Sequence, residues 1–127
     1  MSNKLEDLEI YTLSESIADD IWSIVLTWDY FAKDTVGKQL TRATDSIGAN
    51  LAEGFGRYHY KENKNFCYFS RGSLMETKNW IKRSHKRNLI TGEQYQKLLS
   101  RLELIHLKLN AYIKFIGKKS ESSATND

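Results

Sequence analysis

The sequence predicts an all-α fold, a single up-down four-helix bundle, and three observations carry that expectation. Apolar residues recur at steps of three and four through most of the 127 residues, the spacing that lines one face of a helix. The chain contains no proline, so nothing breaks a long helix from within. No segment alternates apolar and polar residues as a strand does, and no repeat at about 20 to 50 residues points to a solenoid.

Residues 1–11 read as an arm, with Leu5, Leu8 and Ile10 able to tack onto the bundle. Thr12-Leu13-Ser14-Glu15 has the form of a capping box, after which Ile17, Ile21, Ile24 or Val25, and Trp28 follow helical spacing; the first helix is placed at about 12–30. Asp34 is a candidate N-cap for a second helix over 35–55, ended by Gly54 and Gly56. Gly48 within it costs roughly 1 kcal/mol against Ala, a penalty that close approach to a neighbouring helix would offset. Ala49, Ala52, Gly72 and Ser73 are small enough to share such a contact.

A third helix is predicted over 61–87 with two unlike faces. Lys61, Lys64, Tyr68, Arg71, Met75, Lys78, Lys82 and His85 follow one another at helical steps, a cationic stripe with one aromatic set into it. Phe66, Phe69, Ser73, Glu76 and Trp80 share the other face, read as a mainly aromatic seam. Thr91-Gly92-Glu93-Gln94 is a second capping box, opening a helix over 92–117 with the cleanest pattern in the chain: Tyr95, Leu98, Leu102, Ile105, Leu109, Tyr112 and Ile116. Residues 118–127, rich in Lys, Ser and Asp, read as a disordered tail.

The net charge of +3 is unevenly divided. Residues 1–32 hold one Lys against seven acids, or −6, whereas residues 57–87 hold nine Lys and Arg against two acids, or +7. Such separation implies pairing between acidic and basic helices, head-to-tail contact between subunits, or a basic surface kept for an anionic partner. No apolar run approaches the ~20 residues of a membrane span and the amino terminus lacks a signal-peptide pattern, so a soluble, cytoplasmic protein without a membrane partner is expected.

The stretch from Gln39 to Glu76 departs most from a plain bundle. Ser46, Asn50, Glu53 and Arg57 form a polar stripe beside Leu40, Ile47 and Leu51, and Ser73 and Glu76 fall within the aromatic face of the next helix. A carboxylate in such a seam needs donors. Ser46, Asn50, Glu53, Ser73 and Glu76, with Arg57 and Arg71, are therefore read as a hydrogen-bonded clasp fixing the second and third helices in register, in preference to a ligand pocket.

The motifs Ser46-Ile47, Asn50-Leu51-Ala52-Glu53-Gly54-Phe55-Gly56-Arg57 and Arg71-Gly72-Ser73-Leu74 with Glu76 resemble the signature of bacterial four-helix-bundle proteins encoded in intervening sequences of 23S ribosomal RNA genes. That family is similar to the accessory variability (Avd) proteins of diversity-generating retroelements. The resemblance spans roughly residues 5 to 117 and implies a ring-shaped homo-oligomer, specifically a pentamer. Two positions depart from it: Gly48 stands where the family usually has proline, implying a less kinked second helix, and Asn63 replaces a usual apolar residue, which weakens packing expected at the start of the third helix.

Catalytic and metal chemistry find little support. Glu103-x-x-His106 is half of a di-iron bundle pattern, but neither His85 nor His59 has a Glu three residues before it. Cys67 is alone, which excludes an intramolecular disulfide and reads as a packing residue. Gly54-Phe55-Gly56 follows a helix, whereas a phosphate-binding glycine loop follows a strand. The expectation is therefore no enzyme activity, no cofactor and no metal. Nucleic acid, RNA before DNA, would bind Arg57, Lys61, Lys64, Tyr68, Arg71, Lys78, Lys82 and Lys86 by charge and shape, with tyrosines stacking on unpaired bases. The alternative is a protein adaptor for an RNA-handling enzyme such as a retroelement reverse transcriptase.

Overall fold

The computed structural model describes the backbone of residues 4–126 and the side chains of residues 4–121. A 3₁₀ turn, Leu5–Asp7, leads into α1, Glu9–Leu26. Helix α2 is composite: an α-helical turn Tyr30–Ala32, a π-helical segment Lys33–Gly37 and an α-helix Lys38–Phe55. Helix α3 is Tyr60–Lys86 and α4 is Gly92–Asn126. Each helix packs against the next and α4 returns to α1, which makes the up-down four-helix bundle expected from the sequence. No strand occurs among the described residues.

The core is a column of branched aliphatic side chains. Ile17 and Ile21 of α1, Leu40, Ile47 and Leu51 of α2, Leu74 and Ile81 of α3, and Leu102, Ile105, Leu109 and Ile116 of α4 are fully buried. At about 25 cal/mol per Å² of apolar surface removed from water, burial on this scale supplies the main drive to fold. On α3 the pattern differs from the expected aromatic seam. The residues facing inward are Asn63, Cys67, Ser70, Leu74, Thr77, Ile81 and Ser84, while Phe69 and Glu76 are exposed. Small side chains fit there because α3 lies close to α2: a Cβ on Gly54 would stand 2.6 Å from Asn63 Oδ1 and 2.9 Å from Phe66 Cβ. An aromatic seam would force the two helices apart.

The buried hydroxyls are satisfied locally or across that contact. Ser14, Thr44, Thr77 and Ser84 donate to carbonyls of Ile10, Leu40, Ser73 and Trp80 in their own helices. Ser70 Oγ instead donates to Ile47 O at 2.8 Å, bonding α3 to the backbone of α2. Asn63, expected to weaken packing, is buried and paired: its Nδ2 donates to the Tyr112 hydroxyl at 3.2 Å and its Oδ1 accepts from the Cys67 thiol. Burial pushes that thiol up to about 12, so Cys67 is an un-ionised packing group near neutral pH.

Helix ends follow the sequence at some corners and not others. Thr91 and Gln94 form the expected reciprocal box, Gln94 N donating to Thr91 Oγ1 at 3.0 Å and Thr91 N to Gln94 Oε1 at 2.9 Å. The preceding stop is a Schellman turn, with Asn88 at φ 60 and Leu89 N donating to Ser84 O. Thr12, by contrast, lies inside α1, which begins three residues earlier after Leu8 and has no side-chain cap. Asp29, not Asp34, caps α2, its Oδ1 accepting from Ala32 N at 2.8 Å. Gly54 is within α2 as a close-approach residue and Gly56 caps it in ordinary right-handed geometry, so neither ends the helix through left-handed backbone.

Two further expectations change. Gly48 faces the Glu15 side chain of α1, while Ala49 and Gly72 are exposed, so the small residues do not form one shared contact. Helix α4 continues through residues 118–126, read from sequence as a disordered tail, because neither proline nor a left-handed glycine interrupts it. No helix among the described residues is long and apolar enough to cross a membrane.

Candidate nucleic-acid interface

The cationic stripe of α3 lies along the groove it forms with α4. Its spacing sets it to one side of the buried Leu74 and Ile81, where α4 supplies Tyr95, His106, Asn110 and Gly117. Arg71 Nη1 donates to Asn110 Oδ1 at 2.9 Å, which fixes the guanidinium in the groove. Lys64 lies against α4 at Gly117. Burial lowers the His106 imidazole, and the neighbouring Lys78 and Arg71 lower it further, so near neutral pH the ring is uncharged in a cationic setting.

Lys61, Lys64, Lys78, Lys82 and Lys86 have no carboxylate within ion-pair distance among the described residues. Arg57 stands apart. It bonds Glu53 Oε1 at 2.6 Å, lies 4.0 Å from Glu62 and covers the Phe66 ring, so its charge is spent beyond the stripe's end. Tyr68 is also engaged: Lys64 and Arg71 sit over its ring at 5.9 and 5.0 Å, and stacking on a base would require them to move. Tyr58 is freely exposed on the α2–α3 loop.

The expected clasp is not formed. Ser46 Oγ donates to Arg42 O and Asn50 Nδ2 to Ser46 O, both within α2. Glu53 pairs with Arg57 one turn on, and Glu76 accepts from Trp80 Nε1 at 3.2 Å within α3. Among the described residues no hydrogen bond joins the members of the set across the two helices. Ser46, Asn50 and Ser73 are half-buried, Glu53 and Glu76 are exposed, and Arg71 turns to α4; the bond that crosses from α3 to α2 is the one from Ser70.

Elsewhere, α1 and α4 meet through opposite charges. Arg101 reaches Asp20 Oδ2 at 2.6 Å and Ser16 Oγ at 3.2 Å, and Lys108 reaches Glu9 at 2.6 Å. The acidic first helix is thus paired in part with α4, leaving the α3 stripe unneutralised. Glu103 is exposed, and His106 faces cations that would repel a metal ion; no three His, Cys, Asp or Glu side chains among the described residues converge on a metal site. A cleft of about 450 Å³ at one end of the bundle is lined by Asp29, Phe31, Ala32, Thr35, Val36, Arg87 and Leu89 and contains none of the sequence-predicted binding residues.

His106 and Asn110 were outside the binding set read from the sequence. They lie four residues apart on α4, but nothing in that spacing says they turn toward α3.

A family model described as 23S rRNA-intervening sequence protein matches residues 6–111. The chain belongs to that family. Among solved structures, it is similar to a protein of unknown function from the S23 ribosomal protein family of Bacteroides thetaiotaomicron VPI-5482, at 24% identity and a TM-score of 0.74, covering 83% of this chain and 98% of that one. At that identity the likeness speaks to the fold alone. No curated protein matches the chain.

Proposed function

We propose that this family member is a non-enzymatic, homo-oligomeric bundle whose α3–α4 face binds nucleic acid, RNA before DNA, without strong sequence preference. The observation that carries the reading is the row of lysines, Lys61, Lys64, Lys78, Lys82 and Lys86, left without carboxylate partners among the described residues although the protein has 16 acids. A rod of cations at helical pitch about 40 Å long matches the spacing of a polyanion backbone better than that of a small ligand.

Self-association is supported by the distribution of faces. Glu15, Asp19 and Asp45 cluster on the α1–α2 side, opposite the cationic α3–α4 side in the square of helices. Opposed faces of opposite sign favour head-to-tail contacts, which close into a ring when the rotation allows. A second reading, an adaptor for an RNA-handling protein such as a reverse transcriptase, draws support from Trp22 and Leu26, more than half exposed on acidic α1 and suited to a basic, partly apolar partner.

The deciding experiment is a salt-dependent gel shift with a 23S-type RNA, paired with light scattering of the free protein. RNA binding whose affinity falls steeply with salt is expected, from an oligomeric protein. Absence of a shift at low salt would set aside the nucleic-acid reading in favour of the adaptor, and a monomer at micromolar concentration would exclude the ring.

A further inference from the structure

The cations of the α3–α4 groove are not evenly spaced points on a flat surface. Arg71 is held by Asn110, Lys78 stands close enough to act on His106, and both α3 cations face that one imidazole on α4. Arg71, Lys78 and His106 are each partly buried, so their fields are less screened than those of Lys82 and Lys86 on the rim. The other charged groups near His106 are few. Glu103 lies one turn before it and is exposed, and the acids Glu9 and Asp20, on the far side of α4, are committed to Lys108 and Arg101.

We propose that Arg71, Lys78 and His106 form a phosphodiester subsite in the α3–α4 groove, with Asn110 as the positioning residue for the guanidinium, and that the subsite takes up one proton as it closes on RNA. The inference rests on the nucleic-acid reading above and adds a location and a switch to it. In the free protein burial, helped by the two cations, holds the imidazole neutral; a phosphate seated between those cations supplies a negative charge beside the ring. The ring then accepts a proton from solvent and donates a hydrogen bond to the phosphate oxygen. Because binding and protonation favour each other, linkage requires affinity to rise as pH falls through the imidazole's range.

The test is fluorescence anisotropy of a labelled single-stranded RNA oligonucleotide with the full chain, at fixed ionic strength from about pH 8 to about pH 5. Affinity should rise about threefold to tenfold on acidification, with the log–log salt slope steeper by about 0.7 for the added phosphate contact. His106→Gln should remove this pH dependence, its affinity at the acid end falling at least to that of the unaltered protein at the alkaline end. His85→Gln and His59→Gln should retain it, while Arg71→Gln should weaken binding at every pH. NMR titration of the His106 ring provides a second reading, its midpoint moving upward when RNA is added. RNA binding that is independent of pH, or pH dependence that survives in His106→Gln, would overturn this inference and leave the broader reading standing. No RNA binding at any pH at low salt would overturn both.

Discussion

The α1–α2 and α3–α4 faces of the bundle are built on the same helical spacing and carry opposite problems. On the first, partial burial raises the Asp45 carboxyl above its usual 3.8, and Glu15 and Asp19 raise it further. On the second, partial burial lowers the imidazole of His106 below its usual 6.5, and Lys78 and Arg71 lower it further. One face thus crowds like negative charges and the other like positive charges, while the α1–α4 groove between them joins acids to bases at 2.6 Å. Among the described residues the ion pairs along this seam join α1 to α4, whereas the others lie within one helix or at the α2–α3 corner. Local repulsion on the other two faces is a small loss of stability that an external partner of opposite sign would relieve.

The largest test of this contrast is charge reversal. Lys78→Glu combined with Lys82→Glu should lower RNA affinity by more than about tenfold, read by gel shift, with circular dichroism unchanged. Next is the contact that holds the two faces in their places: Gly54→Ala would drive a methyl group into Asn63 and Phe66, costing about 1–3 kcal/mol in chemical denaturation. Arg101→Ala removes the pairing that the charged faces lack, and the loss should be no more than about 1 kcal/mol because the site is partly exposed. Asp45→Asn should raise the melting temperature at neutral pH by a small amount, under about 3 °C after allowance for screening. Glu76→Ala, outside both faces and bonded only within α3, should change stability by less than about 0.5 kcal/mol.

The two faces also differ in the sign of their pH dependence. Asp45 is raised in the folded chain, so its contribution to stability is present below its usual 3.8 and is lost as pH climbs through its folded value. His106 is lowered, so the folded state resists a proton that the unfolded chain accepts; its contribution is present above 6.5 and is lost as pH falls toward the folded value. Melting curves across acid pH for Asp45→Asn and His106→Gln should separate these opposite slopes.

Much of the scaffold was legible because long aliphatic side chains repeat cleanly: the α4 seam through Leu98, Leu102, Ile105 and Leu109 is the one observed, and Thr91 and Gln94 cap the helix as their spacing requires. Helix α3 misled because its aromatics are more hydrophobic than its true inner face, and only the closeness of α2 at Gly54 selects Cys67, Ser70 and Thr77 instead. The start of α1 was hidden for a simpler reason, since Leu8 offers no side-chain oxygen to mark it. At the candidate interface the lysine row was readable from helical pitch. That Arg71 meets Asn110 and that Lys78 bears on His106 depends on how α3 and α4 are rotated toward each other, and neither sequence segment alone encodes that angle.

The π-helical segment Lys33–Gly37 gives the α1–α2 hairpin an adjustable joint. A π turn holds about one residue more than an α turn, so deleting one residue here would leave ordinary helix behind with Tyr30 and Phe31 close to their original bearing around the axis. Leu40, Ile47 and Leu51 would keep their places downstream. Relatives one residue shorter at this corner would therefore share an interior and still aim the same aromatic side chains at the tip, a route to varying chain length at the end of the molecule without redesigning its middle.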